Sequence, residues 1–92
     1  MDREYRIGAV AVELSEATLD VTLEDGRTVS VPLWWYPRLH TATPAQRANW
    51  VLLPGGYGIH WPEIDEDVGV WALLEGGPAP GALPPTEEAR AL

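Results

Sequence analysis

The chain has 92 residues, the length of one small domain, and it contains no cysteine, which excludes disulfide bonds and thiolate metal sites. Its 14 acidic and 6 basic residues give a formal net charge of −8, and this charge disfavours direct contact with nucleic acid or an anionic membrane surface because both attract cations. The lack of cysteine favours a cytoplasmic protein, no apolar run reaches the roughly 18 residues of a membrane span, and the charged N-terminus is not typical of a signal peptide.

Three strands are predicted between residues 5 and 33. Residues 5–14 are apolar on both faces of a strand, which favours a central position in a sheet. Residues 18–24 and 27–33 each alternate between apolar and polar side chains, and they predict two half-buried strands. Pro32 lacks an amide donor, so its strand is expected to end there or to lie at an edge.

The length of the loop between these two strands can be predicted from the register that aligns their apolar faces. A two-residue loop at Asp25-Gly26 would set Val21 opposite Ser30, and the apolar faces of the strands would disagree. A three-residue loop over 24–26 sets Val21 opposite Val29 instead. We therefore predict a type I turn with Gly26 in a left-handed bulge.

Two short helical segments follow. The sequence Tyr-Pro-Arg-Leu at 36–39 favours a helical turn that begins at the proline. Thr43 is predicted to be the N-cap of a helix over 44–49, with Pro44 in its first turn and Gln46 bonding back to the cap as in a capping box.

A second hairpin is predicted across Pro54-Gly55-Gly56, between residues 50–53 and 57–61. Its second strand sets Tyr57, Ile59 and Trp61 on one face and His60 on the other, and it ends at Trp61-Pro62. A helix over about 67–75 is expected next, capped by Asp65 or Asp67 and ended by Gly76-Gly77, with an inward stripe that comprises Val68, Trp71, Leu74 and in one alternative Val70.

These elements predict an α+β fold with one small antiparallel sheet of about five strands, made of two hairpins plus an N-terminal strand, and two or three short helices. Residues 1–76 are expected to form the single domain. Residues 77–92 are rich in Pro, Gly and Ala and are expected to be a flexible C-terminal tail. Most of the five tryptophans should be structural, because a domain this small needs large buried rings.

Several of these motifs together resemble a bacterial family known as domain of unknown function 2442. They are Asp-Gly in the first hairpin, Tyr-Pro-Arg-Leu at 36–39, residues 42–50 and above all Gly-Ile-His-Trp-Pro-Glu-Ile-Asp-Glu-Asp-Val at 58–68. The resemblance covers residues 5–76. It implies a small α+β fold and a gene type found beside another uncharacterised family, domain of unknown function 4160, in a toxin–antitoxin-like arrangement. It implies no reaction and no catalytic residue.

The candidate interaction residues form two groups, an aromatic triplet and a set around the acidic segment that follows the second hairpin. They are Trp34, Trp35, Tyr36, His60, Trp61, Glu63, Asp65, Glu66 and Asp67. At least one ring of the triplet is hard to bury in a domain of this size unless residues 37–49 cover it, and exposed aromatic rings suit protein interfaces. The acidic residues suit a basic partner, or simply solubility.

Two chemical alternatives are weaker. The acidic cluster is made of ligands that Ca²⁺ or Mg²⁺ accepts, but its spacing does not match an EF-hand, so no metal is predicted. His60 with Asp65 is a possible acid–base pair, but no supported nucleophile accompanies it, so no catalytic residue and no cofactor are predicted.

The expected function is therefore that of a non-enzymatic acidic interaction protein, the antitoxin-like member of a toxin–antitoxin-type pair. Its partner is expected to be a basic protein encoded by an adjacent gene, with no direct binding of nucleic acid or membrane. The alternatives are a small-molecule-binding module with a tryptophan-lined pocket and a self-associating structural domain, such as a homodimer.

Overall fold

The computed structural model describes residues 7–84, which form an α+β fold with two antiparallel sheets. The strands of the N-terminal sheet are β1 (Ala9–Leu14), β2 (Thr18–Leu23) and β3 (Thr28–Pro32), in the order β1-β2-β3. The strands of the C-terminal sheet are β4 (Val51–Leu52), β5 (Gly58–Trp61) and β6 (Glu66–Gly69), in the order β4-β5-β6. The helices are α1 (Pro37–His40), α2 (Pro44–Ala48) and α3 (Val70–Glu75).

The α+β class is confirmed, but the prediction of one sheet of about five strands is wrong. The chain leaves β3 at Pro32 and enters a 3₁₀ turn at Leu33–Trp35, followed by α1 and α2. This helical segment redirects the chain, so β4 pairs with β5 instead of extending the first sheet. Two sheets of three strands result.

The turn between β2 and β3 has the predicted register. Leu19 pairs with Val31 and Val21 with Val29, which places apolar side chains together on one face. The amide of Leu23 donates to the carbonyl oxygen of Arg27 across the loop at 2.8 Å, and Gly26 has a φ of 96°. A left-handed glycine allows a three-residue loop without steric strain. Pro32 ends β3, which is an edge strand as expected.

The central position predicted for the N-terminal strand is wrong, because β1 lies at the edge of its sheet. The pairing with β2 shifts between Ala9 and Ala11, so Val10 sits in a β-bulge. Its side chain is 57% exposed, whereas Val12 on the inner face is buried. The apolar residues on both faces therefore reflect a bulge and not a strand covered on two sides.

The two helical segments begin as predicted. α1 starts at Pro37, and α2 has Thr43 as its N-cap. The amide of Gln46 donates to the Thr43 hydroxyl at 3.1 Å, and the amide of Thr43 donates to Gln46 Oε1 at 3.0 Å. This capping box satisfies two amide groups that would otherwise lack partners at the start of the helix.

The second hairpin is present, with Val51 opposite His60 and Leu52 opposite Ile59. The helix predicted over 67–75 is wrong in its first part, because residues 66–69 form β6 and pair antiparallel with β5. Neither Asp65 nor Asp67 caps a helix, and the N-cap of α3 is Gly69 without a side-chain hydrogen bond. Asp65 instead has a φ of 53° and closes the loop that reverses the chain.

This later start of the helix also changes which side chains face inward. Val70 and Leu73 are buried, whereas Trp71, which was expected in the inward stripe, is 46% exposed. Tyr57, which was expected on the same face of the strand as Ile59 and Trp61, precedes β5 in a helical conformation and is 48% exposed. The end of the helix at Gly76-Gly77 was predicted correctly.

The inner faces of both sheets share one core. Its fully buried side chains come from β2, β5, α1 and the 3₁₀ turn, and they are Trp61, Leu19, Leu23, Leu33, Leu39, Ile59 and Val21. The sheets also meet through glycine: a Cβ on Gly56, which has a φ of 73°, would lie 2.5 Å from the carbonyl oxygen of Ala9. Glycine is required there because the two backbones approach too closely for a side chain.

The first part of the predicted tail contacts the domain. The amide of Ala79 donates to the carbonyl oxygen of Trp35 at 2.9 Å, and Ala79 packs against the core. Residues 85–92, the rest of the predicted tail, lie outside the described residues.

Candidate interaction surface

The acidic residues lie on one β-hairpin, which we call the acidic hairpin and define as residues 62–67. Trp61 pairs with Glu66, so residues 62–65 form the loop between β5 and β6. The guanidinium of Arg38 donates to the carbonyl oxygen of Asp65 at 2.7 Å, and Nδ2 of Asn49 donates to a carboxylate oxygen of Glu63 at 3.1 Å. The loop is therefore held by α1 and by the residue that follows α2.

The strand register sends successive carboxylates of this hairpin to opposite faces. Glu66 is opposite Trp61 and lies on the core side, where its side chain is only 16% exposed. Asp67 is opposite His60 on the outer side, and its Oδ1 lies 2.5 Å from Nδ1 of His60. Glu63 and Asp65 are exposed in the loop. Three of the four acids are thus exposed on the outer side or in the loop, and one faces inward.

Glu66 occupies an unusual environment for a carboxylate. Burial raises its pKa, the guanidinium of Arg38 at 4.0 Å opposes that change, and the charges of Asp67 and Asp65 add to it. The hydroxyl of Tyr36 is buried nearby and has no hydrogen-bond partner among residues 7–84. Burial raises the pKa of Tyr36, and the charge of Glu66 raises it further. Burial without a compensating hydrogen bond therefore disfavours the charged form of both groups.

The arginines of residues 7–84 already have partners within the protein. Arg27 pairs with Asp25 at 2.8 Å, and Arg38 holds the acidic hairpin as described above. Arg47 donates from Nε to the carbonyl oxygen of Leu39 and from Nη2 to that of His40, both at 2.9 Å. Arg38 and Arg47 therefore join separate elements of the protein, while the exposed carboxylates of the acidic hairpin face solvent.

The aromatic candidates divide between the core and the surface. Trp61 is fully buried, and its indole donates to the carbonyl oxygen of Arg47 at 3.0 Å. Tyr36 is 5% exposed and packs edge to face against Trp35, with ring centroids 6.5 Å apart. Trp34 and Trp35 are half-buried. Two of the proposed contact residues, Tyr36 and Trp61, are thus core residues that support the surface without forming it.

An apolar strip beside the acidic hairpin was missed in the sequence. Val51 is opposite His60 on the outer face of the C-terminal sheet, and it is 47% exposed. Leu53, 38% exposed, lies over Gly58 on the same face. The register of the second hairpin contains this signal, since residues opposite His60 must share its outward direction.

The two chemical alternatives have a different geometry from the one considered in the sequence. His60 contacts Asp67 and not Asp65, because the register of β5 and β6 sets the first two opposite each other. Within residues 7–84, no group of three or more His, Asp or Glu side chains is arranged to hold a metal ion.

A groove of about 400 Å³ lies on another part of the molecule, between β1 and α2. One wall is formed by residues 12–16 and the other by α2 and Trp50. Trp50 is the one tryptophan that lines this groove. The five tryptophans therefore do not gather around it.

Comparison with known proteins identifies a protein family but no function. In the described part of the chain, no helix is long and apolar enough to cross a membrane. No curated protein matches the chain. A crystal structure of a protein of unknown function from Rhodospirillum rubrum is similar, with a TM-score of 0.69 and 29% identity, over 83% of this chain and 94% of that one.

A solution structure of an uncharacterised protein from Chromobacterium violaceum has the same fold, with a TM-score of 0.67 and 24% identity, over 80% of this chain and 70% of that one. The family model described as "Protein of unknown function (DUF2442)" matches residues 9–79. This match spans most of the chain, so the protein belongs to the DUF2442 family.

Proposed function

We propose that this protein is a non-enzymatic interaction protein that binds a basic protein through its acidic hairpin. The proposal rests on the difference between the arginines, which bond within the protein, and the exposed carboxylates of the acidic hairpin. The arginines of residues 7–84 bond to other carbonyl and carboxylate oxygens of the protein, whereas no arginine of this range forms an ion pair with the exposed carboxylates of Glu63, Asp65 and Asp67. The partner we propose is the product of an adjacent gene, with this protein in an antitoxin-like role in the cytoplasm.

The mechanism is electrostatic and steric. Exposed carboxylates raise the rate of encounter with a basic surface, and their effect is screened by salt. The acidic hairpin is held in place before binding, because Arg38 and Asn49 bond to it from the helical segment. A surface that is already ordered loses less conformational entropy when a partner binds.

An apolar contact complements the charges. Val51 and Leu53 lie on the outer face beside the His60–Asp67 pair, so a partner that reaches Asp67 also covers exposed apolar surface. Interfaces of this kind place an apolar centre inside a polar rim. The half-buried rings of Trp34 and Trp35 are the aromatic side chains of the triplet that a partner can still reach.

The double substitution Glu63→Gln/Asp67→Asn tests this proposal. It removes two exposed negative charges, and we expect the association rate with the adjacent gene product to fall about tenfold at low salt, with a smaller effect on the dissociation rate. Stopped-flow fluorescence measures both rates. Asp20→Asn is the control, since it removes a charge on the outer face of the N-terminal sheet and its amide oxygen still accepts from Ser30. Equal association rates for all three proteins would contradict the proposal.

A further inference from the structure

The edge of β1 has free backbone groups beside the groove. Across the β1–β2 turn, the amide of Ser15 donates to the carbonyl oxygen of Thr18 at 3.0 Å. Hydrogen-bonded pairs alternate with non-bonded pairs in an antiparallel ladder, so the next bonded pair along β1 is Glu13 with Asp20. The amide and carbonyl groups of Val12 and Leu14 consequently point away from β2.

These four groups make no other hydrogen bond in the described chain. Within residues 7–84, β1 pairs with β2 and with no second strand, and neither Val12 nor Leu14 takes part in a turn, cap or side-chain hydrogen bond. Both residues line the groove of about 400 Å³. Unpaired strand edges that border a groove are sites where an extended peptide adds a strand.

One wall of the groove is apolar, and the β1 wall carries acidic side chains. Pro44, Ala48 and Trp50 form an apolar wall opposite β1, and Trp50 packs against the same core as Val12 and Leu14. Glu13 faces the outer side of the sheet, and Glu16 lies at the end of the groove. Arg47 lines the opposite wall, and its Nε and Nη2 donate to carbonyl oxygens of α1. The exposed charges of the β1 wall are therefore negative.

We propose that β1 binds an extended basic segment of another protein as an added antiparallel strand. Such a strand bonds to Val12 and Leu14, directs alternate apolar side chains towards Trp50, and sets an arginine or lysine opposite Glu13. The residue opposite Glu13 belongs to a non-bonded pair, in which side chains approach closely, so a cation is favoured there.

A second copy of this chain is a poorer occupant of the same edge. The two-fold register that uses all four free groups sets Val12 of each copy opposite Leu14 of the other. That register sets Glu13 directly opposite its own equivalent, where like charges are destabilising. Glu13 thus opposes self-pairing and favours a cation. This surface is separate from the acidic hairpin, and its test does not involve the adjacent gene product.

The test uses an acetylated seven-residue peptide of alternating valine and arginine, added to the full ¹⁵N-labelled chain. We expect a dissociation constant below about 1 mM, with the amide signals of Val12 and Leu14 and the indole signal of Trp50 among the largest shifts. The same peptide with N-methylated valines cannot form the ladder, and it should bind at least about tenfold more weakly.

Charge reversal supplies the second readout. Glu13→Arg should weaken binding of the arginine peptide about tenfold and should favour a matched peptide of valine and glutamate, whereas Glu75→Arg should leave both affinities unchanged. The proposal is overturned if the arginine peptide shifts only the acidic hairpin, if N-methylation has no effect, or if Glu13→Arg keeps the original preference. A dimer in light scattering whose Val12 and Leu14 amides are already protected from exchange would also overturn it.

Discussion

Tyr36 carries a buried hydroxyl group that the fold leaves without a hydrogen bond among residues 7–84. A buried polar group without a partner destabilises the folded state, because it gives up its bonds to water. We expect Tyr36→Phe to raise the free energy of unfolding by up to about 1 kcal/mol, since the ring still fills the core. Urea denaturation measures this change.

Tyr57→Phe is the matched control for this measurement. Tyr57 is 48% exposed, and removal of its hydroxyl should change stability by less than about 0.5 kcal/mol. A loss of stability of about 1 kcal/mol in Tyr36→Phe alone would show that the Tyr36 hydroxyl has a partner, and it would contradict the environment described here.

Glu66 makes the stability of the protein depend on pH. Its pKa is raised mainly by burial, so the folded state binds a proton more readily at this site than the unfolded state does. Stability from this group therefore falls as the pH rises through the raised pKa, and it is recovered below the usual glutamate range. Glu66→Gln should exceed the wild type in stability by less than about 1 kcal/mol at pH 7, with no difference at acidic pH.

Thermal unfolding over a pH series checks this prediction. The difference between Glu66→Gln and the wild type should be absent below the usual glutamate pKa, should grow as the pH rises from there through the raised pKa, and should be constant above it. A variant that is less stable than the wild type at pH 7 would contradict this prediction. It would mean that the attraction of Arg38 for the Glu66 carboxylate outweighs the cost of burying that carboxylate.

The backbone conformation of some residues could be predicted from the sequence, whereas that of others could not. Gly26 was predicted in a left-handed bulge because only one loop length aligns the apolar faces of its two strands. Asp65 also has a positive φ, but nothing in the local sequence distinguishes it from its acidic neighbours. Its carbonyl oxygen accepts a hydrogen bond from Arg38, which is distant in sequence. The bulge at Val10 is likewise a property of strand pairing.

At the scale of elements, α2 is the short helix with the most explicit sequence code. Its capping box is complete, and its backbone accepts the indole hydrogen bond of Trp61 through Arg47. Thr43→Ala should lower the free energy of unfolding by about 1 kcal/mol, because an amide at the start of the helix loses its partner. Thr43→Ser keeps the hydroxyl and should retain most of that stability.

Urea denaturation distinguishes these cap variants. The urea concentration at the midpoint of unfolding should fall for Thr43→Ala, while the dependence of the unfolding free energy on urea concentration stays unchanged. Equal midpoints for Thr43→Ala and the wild type would indicate that packing alone maintains α2. The stability of α2, whose backbone accepts the indole hydrogen bond of Trp61, would then not depend on the Thr43 cap.

The boundary between β6 and α3 shows where reasoning from local sequence failed. Carboxylates before an apolar run are typical of a helix start, and this pattern predicted a cap at Asp65 or Asp67. Residues 66–69 pair with β5 instead, which buries Val68 against the core and sets Asp67 beside His60. Both arrangements satisfy the local pattern. Cross-strand pairing decided between them, and a sequence window does not contain that information.

At the scale of the whole molecule, the helical segment between the sheets determines both the fold and the candidate site. It separates two three-stranded sheets, and it also supplies Arg38 and Asn49 to hold the acidic hairpin. The sequence identified every member of the acidic cluster, but their distribution over two faces follows from the register of β5 and β6. The apolar strip of Val51 and Leu53 follows from the same register.

Binding of a basic protein by the acidic hairpin can be tested by co-elution with the adjacent gene product. Wild-type protein and Glu63→Gln/Asp67→Asn are each co-expressed with that product and passed over a size-exclusion column at micromolar concentration, at low and at high salt. We expect one peak that contains both wild-type proteins at low salt, and partial separation for the variant or at high salt. Two separate peaks for the wild-type pair at low salt would contradict it.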